Sequence, residues 1–180
     1  LAGGMDIVCV PEREDPRDVL MTPDGGELDG LVAGSKVGTS SLRRVCQLKE
    51  RRPDLQFATL RGNVDTRLRK LREGQFAAIV LAAAGLRRLD LLEGLPHWPI
   101  PPDTCIPSVG QGTLAIEGRQ DDAQLRELLA PLEHEPTRLR TEAERAMLIT
   151  LQGSCNVPIA GFARLLDAGQ NRVHIQGGRL

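Results

Sequence analysis

The residues best able to do chemistry lie between Gly38 and Arg67. Thr39, Ser40 and Ser41 form a hydroxyl-rich loop, and Arg43 and Arg44 follow at the start of a predicted helix. The first N–H groups of a helix have no partner inside it, so backbone donors, hydroxyls and two guanidinium forks occur together. Such a set suits anions. Pro53 ends the helix, and the apolar run at 55–60 leads to Arg61-Gly62-Asn63, where Asn63 can cap a second helix carrying Arg67 one turn in. If the runs at 35–38 and 55–60 are parallel strands, both loops open on one sheet edge, where open α/β sheets bind ligands.

The elements needed to hold those residues alternate in type. A strand is predicted at 35–38, then a helix at 41–52 with Leu42, Val45, Cys46 and the stem of Lys49 facing inward, which places Cys46 in the core. A strand at 55–60 and a helix at 64–72 follow, with Val64, Leu68 and Leu71 inward and Gly74 at the C-cap. The continuous apolar run at 76–81 reads as a strand covered on both faces, leading through Ala82-Ala83-Ala84-Gly85 to a short helix with Arg87 and Arg88. Three such turns opening on one edge bring Thr39, Ser41, Arg43, Arg44, Arg61, Arg67 and Arg88 within reach of one ligand. The expected fold class is α/β, doubly wound.

Upstream, 5–10 reads as a strand closed by Pro11, and the acidic segment from Pro11 to Leu20 as a solvated turn entering a short helix. Residues 22–34 read as a connection between two domains. Downstream, the proline-rich 94–108 is expected to be irregular, with His97 and Trp98 in a packed surface loop, and Val109-Gly110-Gln111-Gly112 precedes a strand at 113–118. A helix at 121–132 should turn Leu125, Leu128 and Leu129 inward, with His134 capping or at the surface. A longer helix at 136–153 should bury a stripe of Leu139, Ala143, Ala146, Met147 and Leu151. Cys155 then stands on a loop before two strands, 160–166 and 172–176, joined as a hairpin. Spacing alone leaves Cys155 either a working thiol or an incidental one.

Composition narrows the function classes. The chain is 41% hydrophobic with a net charge of -1, and its apolar run at 77–84 is far too short to span a bilayer. No basic stretch followed by an apolar one marks the N-terminal region, so the expected location is cytoplasmic. Cysteines 9, 46, 105 and 155 form no CxxC pair and lack histidines at ligand spacing, which argues for thiols and against a metal or a disulfide scaffold. Residues 1–30 hold eight acids against two bases, whereas 35–72 hold eleven bases against three acids. With one tryptophan, three phenylalanines and no tyrosine, the basic segment lacks a stacking surface for nucleic acid, so small carboxylates or phosphates fit better. The chain starts at Leu1 and stops within a strand-like run, as a fragment would.

The segments PEREDPRD (11–18), VGTSSLRR (37–44), LRGNVDTRL (60–68), AAAGLRRL (82–89), PSVGQG (107–112), TEAERA (141–146) and GSCNVPIA (153–160) run in order through nearly the whole chain. Together they make the sequence resemble the porphobilinogen deaminase (hydroxymethylbilane synthase) family of tetrapyrrole biosynthesis. The resemblance implies two domains similar to periplasmic binding proteins and a third, α+β domain holding a dipyrromethane cofactor by a thioether at Cys155. It implies condensation of four porphobilinogen molecules, with loss of ammonia, into linear hydroxymethylbilane. Arg43, Arg44, Arg61, Arg67 and Arg88 would hold cofactor and substrate carboxylates, Thr39, Ser40 and Ser41 would add hydrogen bonds, and Leu81, Ala82, Gly85 and Gln111 would line the same cleft.

By the same resemblance, 1–15 ends the first half of domain 1, 16–108 is domain 2, 109–132 returns to domain 1, and 133–180 is a truncated domain 3. The family's catalytic aspartate falls upstream of Leu1, so Asp6, Asp15 and Asp18 are not nominated, and the fragment alone is expected to be inactive. A monomer with no metal, nucleic-acid or membrane partner is expected. The rival is a non-enzymatic anion-binding module of the periplasmic type, which needs the arginines but not Cys155.

Overall fold

The computed structural model describes residues 3–152, 157–167 and 172–180. Cys155, the rest of 153–156 and residues 168–171, where a hairpin turn was expected, lie outside the described residues. In chain order the elements are β1 (Met5–Cys9), β2 (Asp18–Met21), β3 (Lys36–Gly38), α1 (Leu42–Arg51), β4 (Gln56–Ala58), α2 (Val64–Arg72), β5 (Ala78–Ala82), α3 (Ala83–Arg87), β6 (Trp98–Pro99), β7 (Ile116–Arg119), α4 (Ala123–Leu129), α5 (Glu135–Thr150), β8 (Ile159–Asp167) and β9 (Arg172–Arg179). This is a mixed α/β chain.

Five strands form one sheet in the order β4-β3-β5-β2-β6. β3 runs parallel to both β4 and β5, while β2 is antiparallel to β5 and to β6. Alternation of side chains gives this sheet two apolar faces. Val19, Met21, Ile79 and Leu81 join Leu68 and Leu71 of α2 in one core, and Leu20, Ala78, Val80 and Val37 join Leu48 of α1 in the other. The two helices therefore cover opposite faces, which is the doubly wound arrangement. Separately, β1 pairs antiparallel with β7, and β8 pairs antiparallel with β9, the latter as the alternating runs at 160–166 and 172–176 predicted.

Several expectations are corrected. The acidic segment forms no helix: Asp18–Met21 is a fully buried strand between β5 and β6, because its apolar residues complete both cores. Residues 22–34 do not simply lead away, since Leu28 is buried with Leu20, Val37 and Leu48. The proline-rich run contributes the short β6 as well as buried Ile100 and Cys105. In α4, Leu128 is 74% exposed. In α5 the buried stripe is Thr137, Thr141 and Glu144, and Ala146 is exposed.

The largest correction concerns α1. It buries Arg43, Arg44 and Leu48, while Leu42 is 55% exposed and Cys46 lies at the surface. The helix turns its arginine face inward because a buried carboxylate on β2 takes both guanidinium groups, and such charge-assisted bonds outweigh burial of one leucine. Iodoacetamide applied to the native protein will accordingly modify Cys46 and spare Cys105, as read by peptide mass. Burial pushes the Cys105 thiol up to about 12, with the neighbouring Asp18 charge adding to the effect, so the reactive thiolate is scarce there.

Candidate functional site

Because β3, β4 and β5 run in one direction, their last residues, Gly38, Ala58 and Ala82, share an edge. The antiparallel β2 brings its first residue, Asp18, opposite Ala82 at that edge. The loops that follow are sewn together: Thr39 donates its N–H to Ala58 O at 3.0 Å, the Ser40 hydroxyl donates to Leu60 O, and Ser41 N–H donates to Thr39 Oγ1 at 3.3 Å. Ser41 occupies the N-cap of α1, yet its side chain makes no capping bond. The first N–H groups of α1 thus stand beside the hydroxyl loop.

Asp18 is the centre of the edge. Arg43 Nη2 donates to its Oδ2 and Arg44 Nη2 to its Oδ1, each at 2.7 Å, and the aspartate is fully buried. A carboxylate this deep is tolerated only when paired and hydrogen-bonded. Burial raises the Asp18 pKa, but the charges of Arg44 and Arg43 outweigh it and hold the group below its ordinary value. The sign follows: Asp18 contributes stability that is complete above the unfolded pKa of about 3.9 and is lost as pH falls toward the lower native value. In acid titrations followed by circular dichroism, D18N will therefore show a shallower loss of stability below about pH 5 than the native chain.

The two arginines are not equivalent. A guanidinium has five N–H donors. Arg43 spends its terminal nitrogens on Asp18, Ile106 O, Cys105 Sγ and, at 3.5 Å, Gln111 Oε1. Among the described residues Arg44 binds Asp18 and Val80 O alone, and its buried Nε has no partner there. Two positive charges face one negative charge, and the spare donors belong chiefly to Arg44.

Gln111 reaches the same cluster from the turn after Ser108, donating Nε2 to Pro16 O at 2.6 Å and to Asp18 Oδ1 at 2.9 Å. The next residue, Gly112, has φ +84° and lies so close to Glu14 that an added Cβ would sit 2.5 Å from the Glu14 carbonyl oxygen. G112A should cost about 1–3 kcal/mol from backbone strain alone, with the contact adding to it, as read from urea midpoints.

The other predicted site residues fall into two groups. Arg61 is exposed on the loop after β4, its carbonyl held by Lys70 Nζ, and Arg67 donates Nε to Gly62 O at 2.8 Å. Arg88 is exposed and donates to Gly112 O at 3.3 Å, at the rim of a polar cleft of about 520 Å³ whose walls include Arg13, Glu14, Asp15 and Arg87. Arg87 bridges to Glu14 across it at 3.2 Å. Leu81 turns its side chain into the core rather than the cleft, while Ala82 and Gly85 are half-buried at the end of β5 and in α3. Toward the opposite end of the strands a cavity of about 310 Å³ lies between Met21, Leu68, Leu71 and Leu95, with Thr22 and Arg72 also in its wall.

Three buried charged positions were not evident from the sequence: Asp18 and Arg13, both in the acidic segment expected to be solvated, and Glu144, which pairs with Arg13 at 2.7 Å. Thr137, Thr141 and Glu144 recur at helical spacing, which is the signal that marks a buried polar face. His134 stands at the N-cap of α5 with Nδ1 2.8 Å from Thr137 Oγ1.

The donor set fits a dipyrromethane, which presents several carboxylates: guanidinium groups with spare N–H donors, hydroxyls and a helix N-terminus meet at one edge. Cys155, the predicted attachment point, lies outside the described residues. Among the described residues no cluster of metal-ligand side chains occurs, and no helix is long and apolar enough to cross a membrane.

Residues 1–127 match the family model described as porphobilinogen deaminase, dipyromethane cofactor binding domain, and residues 138–178 match the porphobilinogen deaminase C-terminal domain. The chain is 52% identical over 178 residues to the porphobilinogen deaminases of two Nitratidesulfovibrio vulgaris strains, Hildenborough and DP4, covering 98% of this chain. It spans 55% of the length of those relatives. A substrate-binding domain of a putative amino acid ABC transporter from Streptococcus pneumoniae aligns with 81% of this chain and 60% of its own, at 12% identity and a TM-score of 0.46. The chain belongs to the porphobilinogen deaminase family.

Proposed function

We propose that this chain is the carboxylate-gripping part of a hydroxymethylbilane synthase, which joins four porphobilinogen molecules, with loss of ammonia at each addition, into a linear tetrapyrrole. The observation that carries the reading is the pair of consecutive guanidinium groups at the sheet edge, fixed by one buried carboxylate and left with a positive charge to spare. Each pyrrole of the substrate carries an acetate and a propionate, so a growing chain needs repeated planar, charged partners.

In this reading Arg44, with the hydroxyls of Thr39 and Ser41 and the first N–H groups of α1, binds carboxylate. Arg43 holds Arg44's shared anchor and supplies a remaining donor. Arg61 and Arg67 extend the grip along the loop after β4, and Arg88 serves the polar cleft. A dipyrromethane bound at Cys155 supplies the primer to which pyrrole units are added. No catalytic acid is assigned within the chain: Asp18, the aspartate nearest these arginines, is buried and spent on two guanidinium groups. The division into domain 2 at 16–108 and a truncated domain 3 from 133 belongs to the same reading, as do a monomeric state, a cytoplasmic location and inactivity of the 180-residue piece alone.

The test is expression of the full-length protein containing this chain, with intact mass and Ehrlich's reagent as readouts. A covalent dipyrrole that is lost in C155S, together with consumption of porphobilinogen, is the expected result. Carboxylate binding without an adduct or turnover would instead describe a non-enzymatic binding module.

A further inference from the structure

Two guanidinium groups on adjacent residues of one helix turn repel each other, and neither gains by burial. Here both are nine-tenths buried or more, and both reach the same side chain: Asp18 Oδ2 takes Arg43 and Oδ1 takes Arg44. Each carboxylate oxygen is thus matched to one arginine. Asp18 is itself held from a third direction, since Gln111 donates to its Oδ1 at 2.9 Å and to Pro16 O beside it. Gln111 Oε1 then accepts from Arg43 Nη2. The segment before β2, the turn at 108–111 and the first turn of α1 consequently meet on one carboxylate.

We propose that Asp18 is a positioning residue for the carboxylate site: it acts as an internal carboxylate that keeps Arg43 and Arg44 side by side at the sheet edge and leaves the pair one uncompensated positive charge, with Gln111 fixing its orientation. The inference rests on the function proposed above and adds to it the residue that aims the arginines. Asp18 touches no reacting atom; it works through Arg44, whose unpartnered Nε lies in the same buried cluster. Loss of Asp18 releases a guanidinium rather than removing one, so ligand grip falls together with the stability the pairing contributes, and both are repairable by a small anion that fits the gap.

The experiment is chemical rescue in the full-length protein. D18A opens a space the size of formate between the two guanidinium groups, and D18N keeps the shape without the charge. For D18N the porphobilinogen KM should rise by roughly tenfold or more, with a smaller change in kcat, as expected when a group binds ground state and transition state alike. For D18A, formate should restore most of the lost melting temperature and lower KM in a saturable way, whereas acetamide, neutral and of similar shape, should not. If D18A does not fold in buffer, the same comparison reads recovery of folded protein on refolding in formate or in acetamide. Formate no better than acetamide, or D18N indistinguishable from the native protein, overturns the proposal. Should the native protein fail to consume porphobilinogen, the proposed function fails, while formate rescue of folding in D18A still decides the role of Asp18.

Discussion

Replacing Glu144 with glutamine will destabilise this protein by about 3–5 kcal/mol, the range for breaking a buried ion pair from one side. Glu144 is fully buried on α5 and accepts four hydrogen bonds: Arg13 Nη1 at 2.7 Å, Arg13 Nη2 at 3.1 Å, Gly110 N–H at 2.7 Å and Ala163 N–H at 2.9 Å. One carboxylate therefore joins four segments: the chain before β2, the turn at 108–111, α5 and β8. The Arg13 side chain is 2% exposed, with its guanidinium 5.7 Å from the Phe162 ring centre. In E144Q the glutamine amide turns a donor toward donors, and Arg13 keeps an uncompensated charge in a dry site. Burial, with the nearby Arg13 charge, also lowers the Arg140 pKa, a sign that this region holds cations at a cost. The midpoint of urea unfolding should fall accordingly, and the double replacement R13M/E144L should recover most of the loss, since removing both partners costs far less than orphaning one. A midpoint for E144Q within experimental error of the native value would contradict the assignment.

The second large effect is on ligand grip. R44L removes the guanidinium with the most spare donors yet leaves Asp18 paired with Arg43, so the chain should still fold. A hydrogen bond to a charged group is worth about 1.5–3 kcal/mol, so kcat/KM for porphobilinogen in the full-length protein should drop by roughly 10- to 150-fold. R44K keeps the charge without the fork and should fall between the two. R43L should lose more stability than R44L, because Arg43 also ties α1 to Ile106 O and Cys105. Equal turnover in R44L and the native full-length protein would remove Arg44 from the site.

What could be read from the residues depended on how local the deciding interaction is. α2 was predicted at its observed bounds because its signals are local: Asn63 accepts from Thr66 N–H at 2.9 Å, and Gly74 takes φ +73° just past the end. β5 was evident from an apolar run with no polar interruption, as a central strand requires. The inward face of α1 was not, because it is set by Asp18, 25 residues before Arg43 in sequence, and the apolar stripe of Leu42, Val45 and Cys46 pointed the other way. β2 was hidden for a related reason. Its flanking acids look like a solvated run until the partners of Asp18 and Glu14, Arg44 and Arg87, are seen across the fold. For Gln111 the resemblance implied a place along the cleft but no partner, because the partners of its amide, Asp18 and Pro16, lie more than 90 residues away in sequence.

The central claim is that guanidinium groups fixed at the carboxyl ends of the parallel strands β3, β4 and β5 grip a polycarboxylate held elsewhere on the same protein. The most direct measurement is the intact mass of the full-length protein with Arg44 replaced by leucine, beside the native protein, each first shown to be folded by circular dichroism. The account predicts a native mass raised by one dipyrromethane and an R44L mass that lacks most of that addition. A folded R44L protein carrying the complete adduct at native occupancy would contradict it.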